Sequence, residues 1–236
     1  MQNASRIAVW ERGPTGSSTV LAIRARAGSM RVVIREGRLA PGRSLVTVDW
    51  GDGERTTVPG FFSLEHVYLK EGDYSVRLSD DISFFAYSYT PDGDAPSRGM
   101  LLGVADAGSR VTELGVGCFY RCANLAGTVR FPNVAALGSF AFSGTTSLER
   151  IELPALPALV TAHFLETFAA ELHADSAKSV QAHFFEAYGQ YRLRDLYMRG
   201  LTRAEIAAMD GFPFTAPSTV RFHGSDGILM GSGRFA

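Results

Sequence analysis

The stretch VTELGVGCFYRCANLAGTVRFP (residues 111–132) is followed by VAALGSFAFSGTTSLERIELP (residues 134–154), and the two compare position by position. Leu114 matches Leu137, Phe119 matches Phe142 and Cys122 matches Thr145. Each segment then closes in a short alternating run before a proline, Val129/Phe131 before Pro132 and Ile151/Leu153 before Pro154. Two looser copies follow, VTAHFLETFAAELHA from Val160 and VQAHFFEAYGQYRLRDLYM from Val180, with Leu172/Ala174 and Leu196/Met198 as their alternating runs. Leu114, Leu137, Val160 and Val180 are spaced by 23, 23 and 20 residues; Phe119, Phe142, Leu165 and Phe185 stand five residues further on with the same steps. A unit of this length holds one strand and one short helix or turn, too little to bury its own apolar face, so stacked neighbours must bury it. The spacing predicts a solenoid with a parallel sheet and an interior ladder of Phe119, Phe142, Leu165 and Phe185.

The repeat resembles the BspA-like leucine-rich-repeat family, whose unit reads roughly Ile-Gly-x-x-Ala-Phe-x-x-Cys-x-x-Leu-x-x-Ile-x-Leu-Pro. LGSFAFSGTTSLERIELP (residues 137–154) matches it almost throughout, with Thr145 in place of Cys. In the first unit Cys118-Phe119 replaces Ala-Phe and Cys122 is the family cysteine. The third and fourth units depart from the pattern. The resemblance covers about residues 111–200 and implies a surface or secreted protein that binds other proteins.

Upstream the rhythm is different. STVLAIRA, MRVVIRE, SLVTVDW, EHVYL and DYSVRL are strand-length runs bounded by Gly, Pro or Asp. In LAIRAR, Leu21, Ile23 and Ala25 alternate with Arg24 and Arg26, the pattern of a half-buried strand. VDWGDGERTTV breaks a strand at Gly51-Asp52-Gly53 and returns in a Thr-rich strand. VDWGDG followed by EHVYLKEGDYSVRLS resembles the PKD (polycystic-kidney-disease) fold, an immunoglobulin-like sandwich, through Asp49, Trp50, Gly51, Asp52, Gly53, His66, Tyr68, Gly72, Tyr74 and Val76. Trp50 occupies the family's Phe position, and Val48 replaces its usual earlier Trp. That resemblance implies a spacer, or a protein- or glycan-binding module of an extracellular protein. From the residues alone, Asp52 is expected to cap its turn and His66 to be a hydrogen-bonding residue at the core edge.

Residues 201–236 read as a C-terminal cap, because a solenoid end otherwise exposes core. Thr202-x-x-Glu205 is a capping box opening a helix through Met209, followed by a turn, a strand at Thr219–Phe222 and a glycine-rich tail. Between the two regions, YTPDGDAPSRG is a loop and MLLGVADAGSR (residues 100–110) reads as a first incomplete repeat. The fold expected is mainly β: a PKD-like β-sandwich at residues 1–82 joined closely to a BspA-like leucine-rich-repeat solenoid at 83–236, with repeats at about 111–200 and the cap at 201–236.

The chain of 236 residues is 46% hydrophobic and 20% charged, an ordinary globular composition. Its net charge is -1 and its only lysines are Lys70 and Lys178, with the arginines spread along the chain. Such a balance argues against nucleic acid or anionic lipid as a partner. No run of 18 apolar residues exists, so no membrane span is expected. The start, MQNASRIAVWERGPTGSS, lacks a signal-peptide apolar core, leaving open a cytosolic chain, export by another route, or a trimmed form. Cys118 and Cys122, four apart, are expected as a buried reduced pair, with no matching Cys or His pair for zinc.

No nucleophile elbow, Walker loop, dinucleotide fingerprint or His-Glu-x-x-His motif occurs, so no enzyme activity, cofactor or metal is expected. The one constellation weighed for metal is His163/Glu166 with His183/Glu186, set i, i+3 in successive units; duplication of packing residues explains it as well. His173 and His223 read as surface or hydrogen-bonded histidines. The candidate binding residues are Tyr188, Tyr191, Arg192, Arg194, Tyr197 and Arg199, because Tyr and Arg anchor interfaces and six of them fall within twelve positions. The expected function is a non-catalytic binding or adhesion module presenting its repeat surface to a protein or glycan. The alternative is a structural or receptor-binding subunit of a phage tail or similar assembly, as a homo-oligomer. Either reading places the chain outside the cell, at a cell surface or in a virion.

Overall fold

Alternating apolar residues set the first strands. The computed structural model describes residues 18–88, 95–181, 184–187, 192–212 and 216–231. Seven strands come first: β1 (Thr19–Ala25), β2 (Arg31–Leu39), β3 (Val46–Asp49), β4 (Arg55–Val58), β5 (Phe61–Val67), β6 (Gly72–Leu78) and β7 (Ile82–Ala86). Helix α1 (Ala95–Met100) and strand β8 (Leu101–Asp106) follow. One antiparallel sheet runs β4-β3-β6-β1-β8; in a second, β2 pairs antiparallel with β5 and β7. Leu21 and Ile23 of β1, Val32 and Ile34 of β2, Val48 of β3 and Val76 of β6 are buried in one core. The turn at VDWGDG needs glycine: Gly51 has φ +83°, and a Cβ there would come within 2.8 Å of the Ser75 carbonyl oxygen on β6.

From residue 113 the chain coils. Strands β9 (Glu113–Leu114), β10 (Ala126–Arg130), β11 (Ala136–Leu137), β12 (Ser147–Glu152), β13 (Ala158–Leu159), β14 (Glu171–His173), β15 (Ser179–Val180) and β16 (Asp195–Tyr197) form a β-solenoid of about four turns, with helix α2 (Phe184–Ala187) in the last. Strands β10, β12, β14 and β16 stack as a parallel sheet. In it Val129, Ile151, Leu172 and Leu196 stand side by side in register, and all are fully buried. The partners expected two residues on, Phe131, Leu153, Ala174 and Met198, are buried as well. A second side is made by the pairs β9–β11 and β13–β15. The third is a ladder of turns: Phe119 N–H donates to Ala141 O at 2.7 Å, Phe142 N–H to His163 O at 2.9 Å and Gly144 N–H to Leu165 O at 2.9 Å.

Inside the coils the ring ladder differs from the expected one at its third and fourth positions. Phe119, Phe142, Phe164 and Phe184 follow one another with centroids 5.4, 5.6 and 5.7 Å apart, whereas Leu165 is only half-buried. The strand positions are Leu114, Leu137, Leu159 and Val180, so Leu159 replaces Val160. The cause is one residue in the first coil. Val129 stands ten positions after Phe119 but Ile151 only nine after Phe142, and the pairing of β10 with β12 shifts register between Gly127 and Thr128, so the next spacing shortens from 23 to 22. Phe185 is buried as expected, but it packs on Phe184 and on Phe222 of the cap.

The two regions are joined through their sheets. Strand β7 pairs parallel with β9, placing Phe85 beside Leu114, so the sheet runs β5-β2-β7-β9-β11 without interruption. Residues 100–110, expected as an incomplete repeat, instead supply β8, which pairs antiparallel with β1 through Leu21↔Val104 and Ala22↔Gly103. Its apolar residues satisfy a sheet edge, which a repeat pattern at this length does not distinguish. The change of rhythm near residue 82 is therefore no break in hydrogen bonding.

The far end is capped. Helix α3 (Arg203–Ala207) opens on the expected capping box: Thr202 accepts the Glu205 N–H and Glu205 accepts the Thr202 N–H. Strands β17 (Arg221–Gly224) and β18 (Gly227–Met230) form a hairpin that extends the long sheet past β16, and the segment expected as a glycine-rich tail supplies its second strand.

Candidate functional site

Because side chains alternate across a strand, the long sheet turns two rows of residues outward on either side of its buried row. One row is Thr128, Arg150, Glu171, Asp195 and Arg221; the other is Arg130, Glu152, His173, Tyr197 and His223. The sequence carries this as triplets, Arg-Ile-Glu, Glu-Leu-His, Asp-Leu-Tyr and Arg-Phe-His, each with its apolar member inward.

The charges in these rows pair with one another. Arg150 bonds Glu171 at 2.8 Å and lies 3.7 Å from Glu152, which is also 3.4 Å from Arg130. Arg221 grips Asp195 with two hydrogen bonds, Nε to Oδ1 and Nη2 to Oδ2, both 2.6 Å, and His223 Nε2 meets Oδ1 at 2.6 Å. Burial pushes the Asp195 carboxyl up, but the bonds from Arg221 and His223 outweigh it and hold the group below the usual carboxylate range. The His173 ring is desolvated, which pushes it below the ordinary histidine value despite Glu171 at 3.6 Å.

Three rings stack across the strands. His173 and Tyr197 lie 3.9 Å apart at 10°, Tyr197 and His223 4.1 Å apart at 16°, and the Arg199 guanidinium carbon lies 4.7 Å from the Tyr197 ring centre. Both faces of Tyr197 are covered by imidazoles, so neither face is open for another ring to stack on.

Of the six residues expected to bind, Tyr188 and Tyr191 lie outside the described residues. Tyr197 and Arg199 come together as described. Arg192 is exposed and lies 5.1 Å over the Phe168 ring, and Arg194 is exposed just before β16. The sequence reading missed the partners of Tyr197. His173, His223, Asp195 and Arg221 belong to the same surface, and the recurring triplets were the signal that places them there.

The other candidates are local. Asp52 accepts the Glu54 N–H at 3.1 Å and meets His66 Nε2 at 2.7 Å, while His66 stacks on Trp50 at 4.8 Å. Asp52 thus caps its turn, and His66 is a hydrogen-bonding residue at the core edge. Cys118 and Cys122 are buried free thiols, both pushed up by burial. His163 is half-buried and pushed down by desolvation, while Glu166 is exposed; His183 lies outside the described residues, and Glu186 is described only as part of α2. Among the described residues no group of three His, Cys, Asp or Glu side chains converges as metal ligands do, and no helix is long and apolar enough to cross a membrane.

Comparison of the chain with protein-family models, curated proteins and solved structures gives no match.

Proposed function

We propose that this chain is a non-catalytic binding module in which a PKD-like sandwich carries a short BspA-like solenoid, and that the outer face of its long sheet docks a protein partner. The observation that carries this reading is the Tyr197 cluster. A tyrosine edge beside an exposed arginine, stiffened by two stacked histidines, has the composition and rigidity of an interface anchor. The paired charges around it hold those side chains in place, so little rotamer freedom is lost on docking. The covered faces of Tyr197 favour a protein over a stacked glycan at this face. The non-catalytic part rests on the missing nucleophile, phosphate-loop and cofactor motifs in the sequence. An extracellular, cell-surface or virion setting fits both resemblances.

The test is a double substitution, Tyr197→Ala with Arg199→Ala, assayed by surface plasmon resonance against a partner once one is in hand. At a hot spot each truncation costs ~2 kcal/mol or more, so binding falls at least tenfold with circular dichroism unchanged. Unchanged affinity moves the site off this face.

A second reading, a structural subunit of a tail-like assembly, draws support from the uninterrupted sheet β5-β2-β7-β9-β11, which makes the N-terminal strands and the first coils one stiff body. Light scattering after size exclusion separates the two: a monomer supports the binding module, a defined trimer or ring the assembly.

A further inference from the structure

An open groove of about 520 Å³ lies where the N-terminal strands meet the first two coils, lined by Arg24, Arg26, Ser29, Leu102, Asn124 and Ser147, with Gly99 and Ala126 between them. We propose that it binds a carboxylate-bearing sugar of the uronic-acid kind. This site is separate from the Tyr197 face, and the outcome at either one leaves the other standing.

The cationic wall is held in place by a carboxylate on the neighbouring strand. Arg24 donates Nε and Nη2 to the two oxygens of Asp73, both at 2.8 Å, and Arg26 lies 3.6 Å from the same carboxylate while its Nη1 bonds the Ala25 carbonyl at 2.9 Å. Two guanidiniums thus share one anion, and among the described residues no carboxylate lines the groove itself. Glu71, in turn, accepts the Ala27 N–H in the turn between Arg26 and Ser29. The arginine side chains remain 41% and 49% exposed, so they keep donors free for a ligand. A planar guanidinium fork matches a carboxylate with two parallel bonds.

The opposite wall suits hydroxyl groups. Asn124 donates one amide hydrogen to the Gly99 carbonyl at 2.8 Å, which fixes the side chain and leaves its oxygen and second N–H for a ligand. Ser147 is exposed at the start of β12. Short, neutral donors and acceptors facing a pair of fixed cations complement a ligand that carries hydroxyls around one carboxylate. The volume falls within the range of small-ligand sites, ~300–1,000 Å³, and the junction between structural units is where such sites concentrate.

The test is isothermal titration of the whole chain with a galacturonate trimer, its methyl ester, a tri-glutamate peptide and inorganic phosphate, using the wild type, Arg26→Gln, Ala126→Glu and Tyr197→Ala. The expected result is binding of the trimer alone, weakened ~10-fold by Arg26→Gln, as for loss of one charged hydrogen bond, abolished by Ala126→Glu and unchanged by Tyr197→Ala. Should Ala126→Glu fail to fold, Arg26→Gln carries the test, because the Arg26 side chain is half in solvent. No binding of the trimer, equal binding of the ester, equal or tighter binding of the peptide or phosphate, or no effect of Arg26→Gln would each overturn the proposal.

Discussion

The N-terminal strands and the solenoid coils share a core but fix their registers differently. In β1 and β6 the pairing runs through seven consecutive residues, Thr19↔Leu78 to Ala25↔Gly72, so a slip by one would turn Leu21 and Ile23 out to solvent. In the coils the strands are two to six residues long, too short to hold register by themselves. There the ring ladder from Phe119 to Phe184 and the turn-to-turn hydrogen bonds fix the stacking. The same His–Asp pairing recurs in both regions under these two rules. His66 reaches back to Asp52 in a neighbouring turn, whereas His223 and Asp195 meet because parallel strands place them side by side. One region writes its contacts into a local motif, the other into a period.

Truncating the ladder gives the largest effect expected. Phe142→Ala and Phe164→Ala should each cost ~3–5 kcal/mol in urea titration, as large-to-small core changes do, and Leu165→Ala under ~1 kcal/mol. The reverse ranking of Phe164 and Leu165 would restore the register expected from an even 23-residue period.

That pair shows what the sequence could and could not reveal. Val129, Ile151, Leu172 and Leu196 were legible because each sits in an alternating run, and alternation survives any change of spacing between runs. Phe164 was not, because the one additional residue between Phe119 and Val129, against Phe142 to Ile151, is invisible to a count of periods. Strand β8 was misread for a related reason: MLLGVADAGSR is apolar enough for either a repeat or a sheet edge, and only β1 decides. Of the site, Tyr197 and Arg199 were found from composition. Their partners His173 and His223 stand 24 and 26 residues away from Tyr197 and become neighbours only through the strand register.

Acid should act in two steps. His163 and His173 are both pushed down by desolvation, so the unfolded chain binds protons more readily, and stability begins to fall as pH drops through about 6.5. Asp52 and Asp195 are held below the carboxylate range. Burial acts against this and the His66 and Arg221 bonds override it, so their stabilisation is present above about pH 4 and is lost as pH falls further. Denaturant midpoints measured from pH 8 to 3 should show the upper step removed by His163→Gln with His173→Gln. Asp52→Asn and Asp195→Asn should flatten the lower one. A single step insensitive to these changes contradicts the assignment.

Smaller effects test the ends and corners. Thr202→Ala removes the helix cap at the C-terminal end and should cost ~1 kcal/mol, with Thr202→Ser neutral. In the first three coils a left-handed corner falls on Arg121, Gly144 and Glu166, at φ 54°, 74° and 54°. Of these three only the second uses glycine there, so Glu166→Gly should relieve strain and raise stability by a few tenths of a kcal/mol, against the entropy glycine adds to the unfolded chain. A loss of ~1 kcal/mol would show that the corner is not strained.

The central claim is that the solenoid is built directly onto the N-terminal sheet, and amide hydrogen exchange at the junction tests it most directly. Thr112 donates to Ser83 O at 2.9 Å, Gly115 to Phe85 O at 2.8 Å and Ser88 to Cys118 O at 2.9 Å, and these bonds flank the β7–β9 pairing that carries the sheet from one region into the other. The account predicts that these amides exchange as slowly as Phe142 and Leu153 within the coils. Fast exchange at Thr112, Gly115 and Ser88, with both flanking regions protected, would show two units hinged at this seam and contradict it.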